Sequence, residues 1–126
     1  MKIAINGSFF IPKGGGIKEY IENLINNLIP NLSSEDELIC YIPKDQYEFV
    51  KGRVSDSVRI KKTPFNTSDT IKRSMLEQFF WLKEEYKENF HVFHSPFLHS
   101  PFFINAKIVV TVHDLRICHF PETYTR

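Results

Sequence analysis

Apolar and polar positions alternate between two periods along this chain, and the alternation predicts its elements. Residues 2–6 (Lys-Ile-Ala-Ile-Asn) form a short apolar run, read as a first strand beginning almost at the amino terminus. Ile17, Tyr20, Ile21, Leu24, Ile25, Leu28 and Ile29 follow at helical spacing, with Lys18, Glu19, Glu22, Asn23, Asn26 and Asn27 between them. That stripe predicts a helix over about 17–30, packed on a sheet and stopped by Pro30 and an Asn-Leu-Ser-Ser turn. Glu37–Ile42 reads as a second strand ended by Pro43, residues 45–51 as a helical turn, and Val58–Lys62 as a third strand. A second long helix is predicted over about 70–88, with Ser68 or Asp69 as its cap. Ile71, Met75, Phe79, Leu82 and Tyr86 lie on one face of it, widened by Leu76, Phe80 and Trp81.

Two further strands complete the pattern, at 90–94 and 107–113, joined by a proline-containing connection. Val109-Val110-Thr111-Val112 is β-branched throughout, which predicts a strand buried on both faces, as in a parallel sheet. The order β-α-β-(α)-β-α-β-β predicts an α/β fold with a doubly wound parallel sheet. The last connection has about a dozen residues, near the minimum for a parallel crossover, so it must be extended or hold only a helical turn.

Composition narrows the picture. The chain has 126 residues, one domain's worth, and a formal net charge of +1, which gives no global electrostatic argument for nucleic acid. The two cysteines, Cys40 and Cys118, form no CxxC and no disulfide framework, so a reducing, cytoplasmic setting is expected. Cys40 lies within a strand and reads as a small buried hydrophobe. No stretch approaches the roughly 20 apolar residues that span a bilayer.

Candidate chemistry collects where strands end, since ligands of open α/β sheets bind beyond the carboxyl ends of the strands. The fifth strand ends in His113-Asp114 and the fourth in His94-Ser95-Pro96. If these strands pair, His94 and His113 share one rim. His113 can donate a hydrogen bond to a hydroxyl or phosphate oxygen; Asp114 fits a cap or an Asx-turn as well as a site. Gly14-Gly15-Gly16 precede the first helix, where free N–H groups suit an anion, although a simple flexible turn fits the same residues. Glu19 stands where a GxGxxG motif needs its third glycine, and no Lys-Ser/Thr follows, which excludes a P-loop. Glu77 and Gln78 face either the crevice or solvent, and Arg73 is spaced to pair with Glu77 on the helix surface. The five histidines invite a zinc site, but no tight ligand spacing supports one, and His91 alternates with His94 across the strand. There is no DxD, no acidic pair after the first strand and no GxSxG elbow.

Taken in order, the Ile-Ala-Ile-Asn-Gly-Ser-Phe-Phe strand, the Gly-Gly-Gly-Ile-Lys-Glu-Tyr helix start, Glu77-Gln78, His94-Ser95-Pro96, Val-Thr-Val-His-Asp-Leu and Phe120-Pro121-Glu122 form a recognisable set. Over about residues 2–122 the chain resembles the N-terminal half of a group 1, family 4-like, retaining GT-B glycosyltransferase. The resemblance implies a Rossmann-like domain that mainly holds the acceptor, a glycan or a lipid-linked sugar. A nucleotide-sugar donor would be held by a C-terminal domain not included in this sequence, which ends at Arg126 before a sixth strand. It implies hexosyl transfer with retention in polysaccharide or glycoconjugate assembly, without a bound metal or other cofactor, and little activity for this half alone. His113 matches the histidine near the transferred sugar and Asp114 the residue supporting its loop, making them the candidate catalytic pair. Gly15, Gly16, His94, Ser95 and Glu77 are the candidate substrate-binding residues. Tyr20 matches an aromatic position read as packing, and no role is given to Asn6. Other readings are a non-catalytic sugar- or nucleotide-binding module, half of a split enzyme, or a sugar-nucleotide epimerase of the same fold. Lipid-linked acceptors would bring the domain to the inner face of the membrane, with Phe79-Phe80-Trp81 as a contact surface, although core packing explains those residues more simply. A truncated sheet would expose an apolar edge through which a homodimer could form.

Overall fold

The computed structural model describes residues 1–67, 71–115 and 119, with the backbone alone at 71–75. Its elements are β1 (Lys2–Asn6), α1 (Gly15–Leu28), β2 (Glu37–Pro43), α2 (Tyr47–Lys51), β3 (Arg59–Thr63), α3 (Ile71–Glu88), β4 (Val92–Ser95) and β5 (Lys107–Val110). A 3-10 turn extends α1 through Ile29–Asn31 and another, Lys44–Gln46, leads into α2. The expected caps Ser68 and Asp69, together with Cys118 and Phe120-Pro121-Glu122, lie outside the described residues.

All strand pairings are parallel, in the order β3-β2-β1-β4-β5. The chain steps outward from β1 to β2 and β3, crosses back through α3, then continues from β4 to β5 on the other side. Connections therefore diverge at β1 and β4, which makes the gap between their carboxyl ends the switch point of the sheet.

Strand alternation divides the core. Ile3 and Ile5 of β1 with Leu38, Cys40 and Ile42 of β2 meet Ile21 and Ile25 of α1 and Val50 of α2 on one face. Ala4, Ile39, Tyr41 and Phe93 meet Trp81 of α3 on the other. Every residue of β1 from Ile3 to Asn6 is buried, as a strand covered on both faces requires. The free thiol of Cys40 is buried, and burial pushes its pKa up to about 12.

The roll of α3 departs from its expected orientation. Phe79 is 71% exposed and Tyr86 93%, with Leu76 and Leu82 also exposed, while Trp81, Glu77, Glu84, Glu85 and Glu88 are buried. Ile71, Met75 and Arg73 lie among the side chains not described. The cause is visible on the sheet, where Arg59 and Lys61 of β3 share a face with Ile39 and Tyr41 of β2. Glu84 pairs with Lys61 and accepts the Tyr41 hydroxyl at 3.1 Å. Glu88 pairs with Arg59, with Lys61 at 2.8 Å and with Lys2 at 3.7 Å. These cations also lie near the negative end of the helix dipole. The helix ends at Asn89, whose φ of 52° in the left-handed region turns the chain towards β4.

The last strand is also corrected. β5 stops at Val110, and it lies at the edge of the sheet with Ile108, Val109 and Val110 exposed. Among the described residues no helix or further strand covers it, so it is not buried on both faces. The connection before it contains no helix and is tied to α3 instead. Glu85 accepts the Ala106 N–H at 2.5 Å, and Gln78 accepts the Phe102 N–H at 2.8 Å.

Hydrogen bonds from Lys61 and then Arg59 hold the Glu88 carboxyl at about 2 instead of 4.5, against the opposing effect of burial. A depressed folded pKa contributes stability above the unfolded value and loses it as pH falls through the folded one. Melting followed by circular dichroism is therefore expected to fall steeply from pH 4.5 towards 2. Glu88→Gln is expected to cost about 1–3 kcal/mol at neutral pH and to flatten that acid limb.

Candidate functional site

The loop from β1 to α1 is built at the switch point. Asn6 is buried, and its Oδ1 accepts the Ser8 N–H at 3.2 Å and the Ser8 hydroxyl at 2.7 Å, closing an Asx-type turn. The Phe9 ring meets the Phe97 ring edge-on at 4.6 Å, which joins this loop to the one after β4.

The three glycines have separate duties. A Cβ on Gly14 would collide with the carbonyl oxygen of Phe9 and with Lys18. Gly15 has a φ of 55°, where L-residues are strained. Gly16 is open, with nothing near a Cβ and an ordinary φ, and both Gly15 and Gly16 are exposed. Gly14 supplies no side-chain cap to α1, and the first turn carries no acidic residue. The first amides of α1 thus lack intrahelical acceptors and capping oxygens.

One turn into α1, Tyr20 reaches the far side of the switch point. Its hydroxyl lies 3.1 Å from the Thr111 hydroxyl, and Thr111 lies 2.9 Å from Nε2 of His94. The Tyr20 ring stands edge-on to His113 at 5.0 Å and to His94 at 6.3 Å. His113 donates from Nε2 to the Pro96 carbonyl oxygen at 2.8 Å, which leaves its Nδ1 as an acceptor when the ring is neutral. Thr111 also donates its N–H to the Ser95 carbonyl at 3.0 Å, carrying the β4–β5 ladder one step beyond the strand. Burial lowers the pKa of His94 and favours the neutral ring.

Gly15, Gly16, His94 and His113 thus gather on the α1 side of the sheet, while Ser95 and Glu77 lie on the other. Ser95 follows His94 in the strand and points to the opposite face, where its hydroxyl donates to the His99 carbonyl. Nδ1 of His99 lies 3.3 Å from the buried Glu77 carboxylate. Ser95 and Glu77 therefore shape the loop after β4 from behind. Asp114 is exposed at the rim. His91 accepts the Lys2 N–H at 3.0 Å, at the opposite end of the sheet from His94 and His113. Among the described residues no group of three or more His, Cys, Asp or Glu is placed to hold a metal ion.

The sequence pattern reads Tyr20 as packing and gives Thr111 no role beyond the strand. Period two along the last strand puts Val109, Thr111 and His113 on one face, and that signal could have placed Thr111 beside His113. Tyr20 sits within the apolar stripe of α1, so its hydroxyl was hidden by its packing role.

No protein-family model matches the chain, and neither the curated proteins nor the solved structures contain a significant match to it.

Two outcomes test this geometry. The His94 ring is expected to titrate below the ordinary 6.5 when followed by NMR, and Thr111→Val is expected to move its resonances without unfolding the protein. Gly16→Ala is expected to leave stability unchanged or raise it by up to about 1 kcal/mol in urea denaturation, whereas Gly14→Ala lowers it.

Proposed function

We propose that this domain is the acceptor-holding half of a retaining, GT-B-type glycosyltransferase. In the complete enzyme a hexosyl group passes from a nucleotide-sugar to a glycan or lipid-linked hydroxyl. The observation that carries the reading is the convergence of Tyr20, His94, Thr111 and His113 beside the uncapped start of α1, at the switch point of a parallel sheet. A sugar demands donors and acceptors at fixed spacing, and this rim offers both in a partly buried setting. His113, with Nε2 committed to Pro96, presents Nδ1 to a sugar hydroxyl. The open amides at Gly15 and Gly16 suit a phosphate or a hydroxyl oxygen. Asp114 borders the same rim. In the transfer the acceptor oxygen forms the new bond to the anomeric carbon as the bond to the diphosphate breaks. The nucleoside diphosphate leaves with the bonding pair, and the hydroxyl proton goes with it or to solvent. No nucleophile is assigned on this half.

NMR titration tests the reading. A nucleoside diphosphate sugar or a simple methyl glycoside at millimolar concentration is expected to shift the amides of Gly15, Gly16, Thr111 and His113. His113→Ala is expected to weaken that binding roughly 2- to 10-fold, the worth of one hydrogen bond at an exposed rim. Shifts produced equally by the free nucleotide would favour a nucleotide-binding module. The absence of shifts with every ligand, in a folded spectrum, would overturn the proposal.

A further inference from the structure

Asn6 ends β1 at the switch point with only half of its carboxamide in use. Its Oδ1 accepts the Ser8 N–H at 3.2 Å and the Ser8 hydroxyl at 2.7 Å. A backbone N–H can only donate, so the atom facing it is the amide oxygen, and the NH2 group is turned the other way. That group meets no acceptor among the described residues, although Asn6 is only 1% exposed. Among the described residues no polar side-chain atom sealed from solvent lacks a partner, so the sliver of Asn6 left open is Nδ2 itself. The opening lies towards β4. After Asn6 the chain leans towards β2, where Gly7 donates its N–H to the Tyr41 carbonyl at 2.7 Å and a Cβ on Gly7 would lie 2.9 Å from that oxygen. Room is left on the other side, in the gap between the carboxyl ends of β1 and β4.

The pleat sets this donor on the face opposite the amides of Gly15 and Gly16. Ile5 and its partner His94 face α1, so the next residues of the two strands, Asn6 and Ser95, face α3. Glu77 lies on that side too, its carboxylate buried and 3.3 Å from Nδ1 of His99. A phosphate there would meet negative charge, so the oxygen suited to Nδ2 is a neutral one. A hydroxyl accepts from Nδ2 without adding charge. Phe9 and Phe97, edge-on at 4.6 Å between the two loops, offer apolar surface to the C–H side of a sugar ring. A shielded donor without a partner costs free energy, and a site that meets a hydroxyl with such a donor discriminates against ligands lacking it.

We propose that Asn6 is a specificity-determining residue, donating from Nδ2 to a sugar hydroxyl held in the gap between β1 and β4. The role rests on the glycosyltransferase reading and deepens it, with phosphate-seeking amides on one face of the sheet and a hydroxyl-seeking carboxamide on the other. NMR of the side-chain NH2 groups tests it. The Asn6 pair is identified by its loss in Asn6→Ser, whose hydroxyl still accepts the Ser8 N–H in a turn of the same kind. At millimolar concentration, at least one of the methyl α-glycosides of glucose, galactose and mannose is expected to shift that pair. Inorganic pyrophosphate is expected to shift the amides of Gly15 and Gly16 and to leave the Asn6 pair in place. Asn6→Ser is expected to weaken glycoside binding roughly 2- to 10-fold, the worth of one neutral hydrogen bond, with circular dichroism and pyrophosphate binding unchanged. Should that variant fail to fold, the NH2 signals of the unaltered protein decide. Glycoside shifts at Thr111 and His113 with the Asn6 pair unmoved overturn the role of Asn6 and leave the glycosyltransferase reading standing. No glycoside shift at any residue overturns both. An Asn6 pair moved by pyrophosphate and by none of the sugars overturns the hydroxyl in favour of a phosphate.

Discussion

Glu84 and Glu88 cannot be buried without cations, and that requirement fixes the roll of α3. A carboxylate removed from water and left unpaired loses more solvation than packing returns. Lys61, Arg59 and Lys2 supply the positive charge from two strands of the sheet. Trp81 fills the apolar part of the same face, edge-on to Tyr41 at 5.0 Å and to Phe93 at 4.7 Å. Since α3 is also the crossover that reverses the direction of winding, these ion pairs hold the element that sets β4 beside β1. The switch point depends on that placement.

The same crossover explains what the sequence could and could not reveal. The periodicity of α1 marked its inward face correctly, because one apolar stripe faced one apolar sheet surface. In α3 there were two candidate faces, and a period of 3.6 residues identifies a stripe without naming the surface it meets. The decision rested on Arg59 and Lys61, 23 to 29 residues upstream of the glutamates they pair with, whose direction follows from strand register. β5 misled for a related reason. A β-branched run states a preference for strand, whereas burial depends on neighbours that local pattern does not contain.

The strand-end histidines were legible because a polar residue after an apolar run is conspicuous. Their grouping was less so. His94 and Ser95 are adjacent in sequence, yet the pleat sends one towards α1 and the other towards α3, so only His94 joins Tyr20, Thr111 and His113. The rear group still matters mechanically. Ser95, His99 and Glu77 brace the loop whose Pro96 carbonyl orients His113. A site-facing ring is thus set by a backbone oxygen, which is in turn held by groups on the opposite side of the sheet.

The bond between Tyr20 and Thr111 joins residues 91 positions apart. Contacts so distant in sequence bear the full entropy of closing the intervening chain before they return any energy. α1 can pack as soon as β1 and β2 give its apolar face a surface, but its tyrosine must wait for the later crossover, for β4, and for the edge strand to align. The rim is therefore among the last parts of the molecule to be assembled, and during synthesis its two halves leave the ribosome far apart in time. Any intermediate that holds β1, β2 and α1 alone would carry the glycine loop complete and the histidine wall missing.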